Sequence, residues 1–200
     1  MVLAVPALVV PAPAHAVERA APDRLVRTAV EGTIATIQGD PASRSGDLAA
    51  IAALVRKQFV PFTDFERTTR LALGNAWGAA TPDQRRELVG HFRALLVHTY
   101  ALSLSQLREQ RVDFRYTPVL VGSNANDAVV RTRVLTAGDE AQIDYRLNRG
   151  PDGWKIYDIN MMGAWLIEVY RRQFGDIVAR DGVDGLIRYL ADHNARRSGA

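Results

Sequence analysis

Between Ala141 and Ile159 the chain alternates polar and apolar residues with a period of two, interrupted once by Gly150-Pro151-Asp152-Gly153. No other stretch restricts the fold so tightly. Ala141, Ile143, Tyr145 and Leu147 occupy one phase and Gln142, Asp144, Arg146 and Asn148 the other. This is the pattern of a half-buried strand, because successive side chains point to opposite faces of a sheet. Proline presets φ and Asp-Gly supplies a positive-φ corner, so the chain turns back on itself. Trp154, Ile156 and Asp158 then alternate with Lys155, Tyr157 and Ile159. The stretch predicts an antiparallel hairpin with Trp154, Ile156 and Asp158 on one face. After Gly163 the period becomes helical, giving one helix and then a second short one, with two glycine stops between.

A hairpin needs further strands, and they lie just upstream. Val112, Phe114 and Tyr116 alternate with Asp113, Arg115 and Thr117, while Val130, Thr132 and Val134 alternate with Arg131 and Arg133. A turn around Gly122-Ser123-Asn124 separates the two runs. Ahead of them every apolar pattern is helical. Leu25, Val26, Ala29, Val30, Ile34 and Ile37 predict an amphipathic helix over 24–38, closed by Gly39-Asp40-Pro41. Asp47 caps a second helix carrying Leu48, Ile51, Leu54, Val55 and Phe59. Thr63 with Glu66 three residues on reads as a capping box for a third, ending near Gly74. Thr81-Pro82-Asp83-Gln84 starts a long fourth, running to about Arg108. The loop 39–46 reads as the most mobile connector. Helices, then an antiparallel meander of about four strands, then helices again make the class α+β, a sheet packed against a helical bundle.

At 200 residues, 48% hydrophobic and 24% charged, the chain suits one domain that buries its own core. The net charge of +3 and the dispersal of arginines among acids, as in Arg108-Glu109-Gln110-Arg111, argue against nucleic acid as a partner. Residues 1–16 read as a targeting segment: Val2 to Val10 is apolar but well short of the ~20 residues that span a bilayer, and Ala14-His15-Ala16 offers an A-x-A cleavage site. The positively charged n-region is missing, which fits a start internal to a longer signal. The remaining 17–200 is read as a single domain. The absence of cysteine fits an exported protein that needs no disulfide and a cytosolic one equally.

Signals of chemistry are sparse. No glycine-rich phosphate loop follows a strand and no G-x-S-x-G elbow occurs. His91 and His98 sit two helical turns apart, about 10 Å along the axis, too far to share a metal. A curved antiparallel sheet backed by helices does resemble the ketosteroid-isomerase and dehydratase class, in which an Asp raised in pKa by an apolar cone shuttles protons. Here Asp158 would be that Asp, with Tyr145 or Tyr157 donating to an oxyanion. The plainer account is an Asp held by backbone amides or by Arg146 or Arg171.

A more specific resemblance rests on ordered strings. Phe62-Thr-Asp-Phe-Glu-Arg67, Leu73-Gly-Asn-Ala-Trp77, Ala80-Thr-Pro-Asp-Gln-Arg85, Trp154-Lys-Ile-Tyr-Asp-Ile159 with Gly163, Val169-Tyr-Arg-Arg-Gln-Phe174 and Asp181-Gly-Val-Asp-Gly-Leu-Ile187 together resemble the periplasmic phospholipid-binding proteins of the Mla pathway, the toluene-tolerance auxiliary family. One departure is visible, Ala164-Trp165 where a small residue and serine are expected after Gly163. The resemblance implies a hydrophobic cavity between sheet and helices that takes the acyl chains of a phospholipid and leaves the headgroup in water. The apolar positions that would line it are Leu95, Leu96 and Tyr100 on the long helix. On the strands they are Phe114, Val130, Val134, Ile143, Tyr145 and Ile156, and beyond the hairpin Met161, Trp165, Val169 and Tyr170. It further implies a carrier rather than an enzyme, needing no cofactor and no metal, working in the periplasm between an inner-membrane lipid ABC transporter complex and an outer-membrane lipoprotein complex.

Overall fold

The structure is a computed structural model that describes residues 14–117, 120–121 and 125–198. The expected turn at Gly122-Ser123-Asn124 and residues 1–13 of the expected targeting segment lie outside the described residues. Helix α1 (Ala14–Gly39) starts well ahead of the expected Arg24 and is followed by α2 (Pro41–Arg44), α3 (Leu48–Gln58), α4 (Phe65–Leu73), α5 (Asn75–Ala79) and α6 (Pro82–Ser105). The strands are β1 (Asp113–Tyr116), β2 (Leu120–Val121), β3 (Asp127–Leu135), β4 (Glu140–Gly150), β5 (Gly153–Met161) and β6 (Ala164–Trp165). Helix α7 (Leu166–Ser198) closes the chain.

Local chemistry explains most of the boundaries. Thr81 and Gln84 form the expected reciprocal capping box at the start of α6, and Asp47 accepts from the Ala49 and Ala50 amides ahead of α3. Three expectations need correction. The segment 39–46 holds α2, because Asp40 accepts from the Ser43 amide and Pro41 suits a first helical position. The cap of α4 is Asp64, bonded to the Arg67 amide, whereas the Thr63 hydroxyl turns back to the Val60 carbonyl. Helix α6 ends at Ser105 rather than near Arg108.

The sheet is antiparallel in the order β1-β3-β4-β5-β6, with β2 pairing β3 beside β1. The expected strands are β1, β3, β4 and β5. Two two-residue strands, β2 and β6, join them, too short for a periodicity to register. Gly150 pairs with Gly153 across Pro151-Asp152, as the turn residues require. The strict alternation expected of β5 is broken, however. Arg146 pairs with Asp158 but Leu147 pairs with Ile156, so Tyr157 is the extra residue of a β-bulge. A one-residue bulge reverses the phase beyond it. Asp158 thus shares a face with Arg146, while Ile159 and Met161 turn inward beside Tyr145 and Ile143.

Two hydrophobic cores result. One lies between the inner sheet face and α1, α3 and α6, built on Val26, Ile51, Val55, Val97, Leu147 and Ile156. The other is wholly helical, between α4, α6 and α7, and centres on Phe92, whose ring meets Tyr170 at 4.8 Å and Phe174 at 5.0 Å. Tyr100 packs against both. Of the glycines after Gly163, Gly182 breaks α7: at φ 68°, ψ −175° it redirects the chain so that 183–198 folds back, with Asn194 donating to the His91 carbonyl.

A candidate apolar binding cavity

The first core does not fill the space beside it. A cavity of about 350 Å³ opens between the sheet and the helices, well beyond the water-sized voids of ordinary protein interiors. Helices supply Val30 and Thr33 from α1, Phe59 from the end of α3, and Tyr100 and Leu104 from α6. The sheet supplies Val134, Ala141, Ile143, Tyr145, Ile159 and Met161, which are inward neighbours in the ladder: Val134 pairs with Ala141, Tyr145 with Ile159 and Ile143 with Met161. The phenols in this wall stay neutral, since burial pushes both Tyr100 and Tyr145 up. Phe59 and Tyr100 meet edge to face at 5.5 Å.

The rim is polar. Past the end of α6 the turn 106–110 is tied to α1 by the Gln38 amide, which donates to the Leu107 and Gln110 carbonyls at 2.9 and 2.8 Å. It contributes Gln106 and Gln110. The β3–β4 loop faces it with Thr136 and Asp139. That loop is closed by the Thr136 amide donating to the Asp139 carbonyl at 2.9 Å.

Of the residues expected to line a cavity, Tyr100, Val134, Ile143, Tyr145 and Met161 come together here. Val130 and Ile156 lie on the same face but within the packed first core. Leu95, Leu96 and Tyr170 belong to the helical core. Val169 is at the surface, 37% exposed. Phe114 lies beside the Tyr116 ring on β1, and Trp165 lies under the Arg146 guanidinium at 3.7 Å. Ile159 was hidden by the bulge, and Phe59 by its place at a helix end. No apolar pattern could mark the polar rim.

Asp158 does not line the cavity. It is 3% exposed, and its carboxylate accepts from the Ile159 amide at 3.0 Å, the Ile167 amide at 3.1 Å and Arg146 at 3.1 Å. Arg171 bonds the Leu71 carbonyl instead. The Asp and tyrosine of the isomerase-like arrangement do not meet in this cavity: Tyr145 faces it, whereas Asp158 and Tyr157 border a separate space of only about 10 Å³, with the Tyr157 ring under Arg67 at 4.5 Å.

This architecture has close counterparts. A solved structure of a phospholipid-binding protein from Ralstonia solanacearum, in complex with a phospholipid, superposes with a TM-score of 0.80 at 42% sequence identity, covering 88% of this chain and 97% of that one. An intermembrane phospholipid transport system binding protein, MlaC, of Haemophilus influenzae is 23% identical over 176 residues, 86% of this chain and 81% of that protein. The model of the MlaC protein family matches residues 27–192, a span that takes in every wall and rim residue of the cavity, and the chain belongs to that family.

Proposed function

We propose that the chain is a periplasmic phospholipid carrier that shields acyl chains in the cavity between sheet and helices. It passes lipid between an inner-membrane lipid ABC transporter complex and an outer-membrane lipoprotein complex, and so maintains outer-membrane lipid asymmetry. The observation that carries this reading is the apolar cavity that the side chains leave open between sheet and helices. The apolar wall of the cavity is surface that an apolar occupant would remove from water, at about 25 cal/mol per Å². The solved relative holding a phospholipid supplies its chemistry, and the transport-system name of the Haemophilus relative supports the intermembrane role.

A diacyl lipid has about 30 methylenes worth roughly 0.8 kcal/mol each on burial, so its free monomer crosses water negligibly slowly. A carrier need only cover the tails, and both buried carboxyl chemistry and bound cofactors are superfluous to that task. No helix among the described residues is long and apolar enough to cross a membrane. Residues 1–16 are assigned the role of an export signal. The test is direct: purified protein is extracted with organic solvent and the extract examined by mass spectrometry. Phospholipid at near-stoichiometric amounts is expected. Protein recovered from a lipid-containing host with none would overturn the reading.

A further inference from the structure

The composition of the rim carries a consequence for headgroup choice, resting on the carrier reading above. Beyond the ends of α6 and β3 the lining includes Gln106, Gln110 and Thr136, which are uncharged, and Asp139, an acid. Among the described residues, no lysine or arginine lines the cavity at all. Basic groups on the adjoining turn and strand are committed elsewhere. Arg108 donates to the Ser105 and Arg44 carbonyls, Arg111 pairs with Asp113, and Arg133 pairs with Glu140 at 2.6 Å. Asp139 takes part in no ion pair among the described residues, and the hydrogen bonds that close the β3–β4 loop hold its backbone over the mouth: Thr136 amide to Asp139 carbonyl, and Gly138 amide to Thr136 carbonyl at 2.7 Å.

We infer that Asp139 makes the mouth selective for phospholipids whose headgroup carries an ammonium, such as phosphatidylethanolamine, over net-anionic ones such as phosphatidylglycerol. All phospholipids present a phosphate, and the polar side chains there offer it only the uncharged donors of Gln106, Gln110 and Thr136. What differs is the group beyond the phosphate. An ammonium donates to the free carboxylate, whereas an uncharged glycerol leaves two like charges facing each other across the mouth. The carboxylate is exposed, so the selectivity is that of one partly screened charge pair, roughly two- to five-fold at low salt and smaller near molar salt.

Wild-type protein, Asp139→Asn and Asp139→Lys are incubated with vesicles of equimolar phosphatidylethanolamine and phosphatidylglycerol with matched acyl chains, re-isolated and extracted. Lipid is then quantified per protein and by headgroup. The expected result is two- to five-fold enrichment of phosphatidylethanolamine in wild type, a ratio near that of the vesicles for Asp139→Asn, and enrichment of phosphatidylglycerol for Asp139→Lys. The ratio is read per lipid bound and the thermal midpoint of each variant is taken beside it, so a change in total loading does not disturb the comparison. If all three carry lipid at one and the same headgroup ratio, the selectivity is wrong and the carrier reading stands. If none acquires lipid, the carrier reading itself falls and takes the inference with it. Position 139 is exposed and in a loop, so none of these changes threatens folding.

Discussion

One buried carboxylate, that of Asp158, ties β4 to the start of α7 through Arg146 and the Ile167 amide. Removing it leaves two buried amides without acceptors, each costing about 1–3 kcal/mol. Asp158→Ala should therefore lower stability by about 2–4 kcal/mol, while Asp158→Asn, which keeps an acceptor for those amides, should cost about 1 kcal/mol or less at neutral pH. Burial raises this carboxyl above its ordinary 3.8, although the Ile167 amide and Arg146 pull the other way. A raised acid pKa means that the folded state holds the proton more tightly. Stability is then greatest below 3.8 and is drawn down as pH rises through the folded value. Relative to wild type, Asp158→Asn should accordingly gain as pH rises from about 3.5 to 7. Denaturant midpoints at the two pH values check both claims, and an Asp158→Ala protein as stable as wild type would remove the anchor. From the sequence both an anchoring and a proton-shuttling Asp158 were legible. The choice between them turned on Tyr157, whose bulge moves Asp158 off the cavity face and leaves no trace in residue type.

Elements were read well wherever a cap or a period announced them, as Thr81 announces α6 and Asp47 announces α3. They were misread where two candidates compete within a residue or two, as Thr63 and Asp64 do before α4. Glycine is ambiguous in the same way. The motif from Asp181 to Ile187 contains two, yet only Gly182 stops a helix, and Gly185 sits inside one. The difference is conformational. At φ 68°, ψ −175° Gly182 occupies a region open almost only to glycine, where another residue costs on the order of 1–3 kcal/mol. Gly175 has no positive φ, and a methyl group there would meet nothing within 4 Å. Gly182→Ala should therefore destabilise by about 1–3 kcal/mol and loosen 183–198 from α6. Gly175→Ala should stabilise by about 0.5–1 kcal/mol, since alanine restricts the unfolded chain and favours helix. Thermal midpoints, with hydrogen exchange across 183–198, distinguish the two. Equal effects would mean that the break is not what positions the C-terminal segment.

At the scale of the molecule, an apolar face looks the same in sequence whether it packs against a neighbour or lines a void, so the two cores and the cavity could not be told apart by periodicity. Leu95 and Tyr100 share a helix, yet Leu95 is buried in the helical core while Tyr100 borders the cavity. Ile143 tests that difference. It is half-buried, it lines the cavity beside Met161, and its added volume as tryptophan would project into space that a tail occupies. Overpacking an ordinary core costs typically about 1–3 kcal/mol through strain. A cavity accepts the volume and loses its ligand instead. Ile143→Trp should thus keep a thermal midpoint near wild type and retain much less phospholipid per protein. Arg115→Trp is the control, an exposed position on β1 opposite Arg133 with no part in the cavity; it should alter neither property. Midpoint and bound lipid must be read on the same preparations, because an unfolded protein also carries no lipid. A fall in midpoint of the size expected for a core, with lipid per folded molecule unchanged, would make Ile143 core and place the acyl chains somewhere other than this cavity.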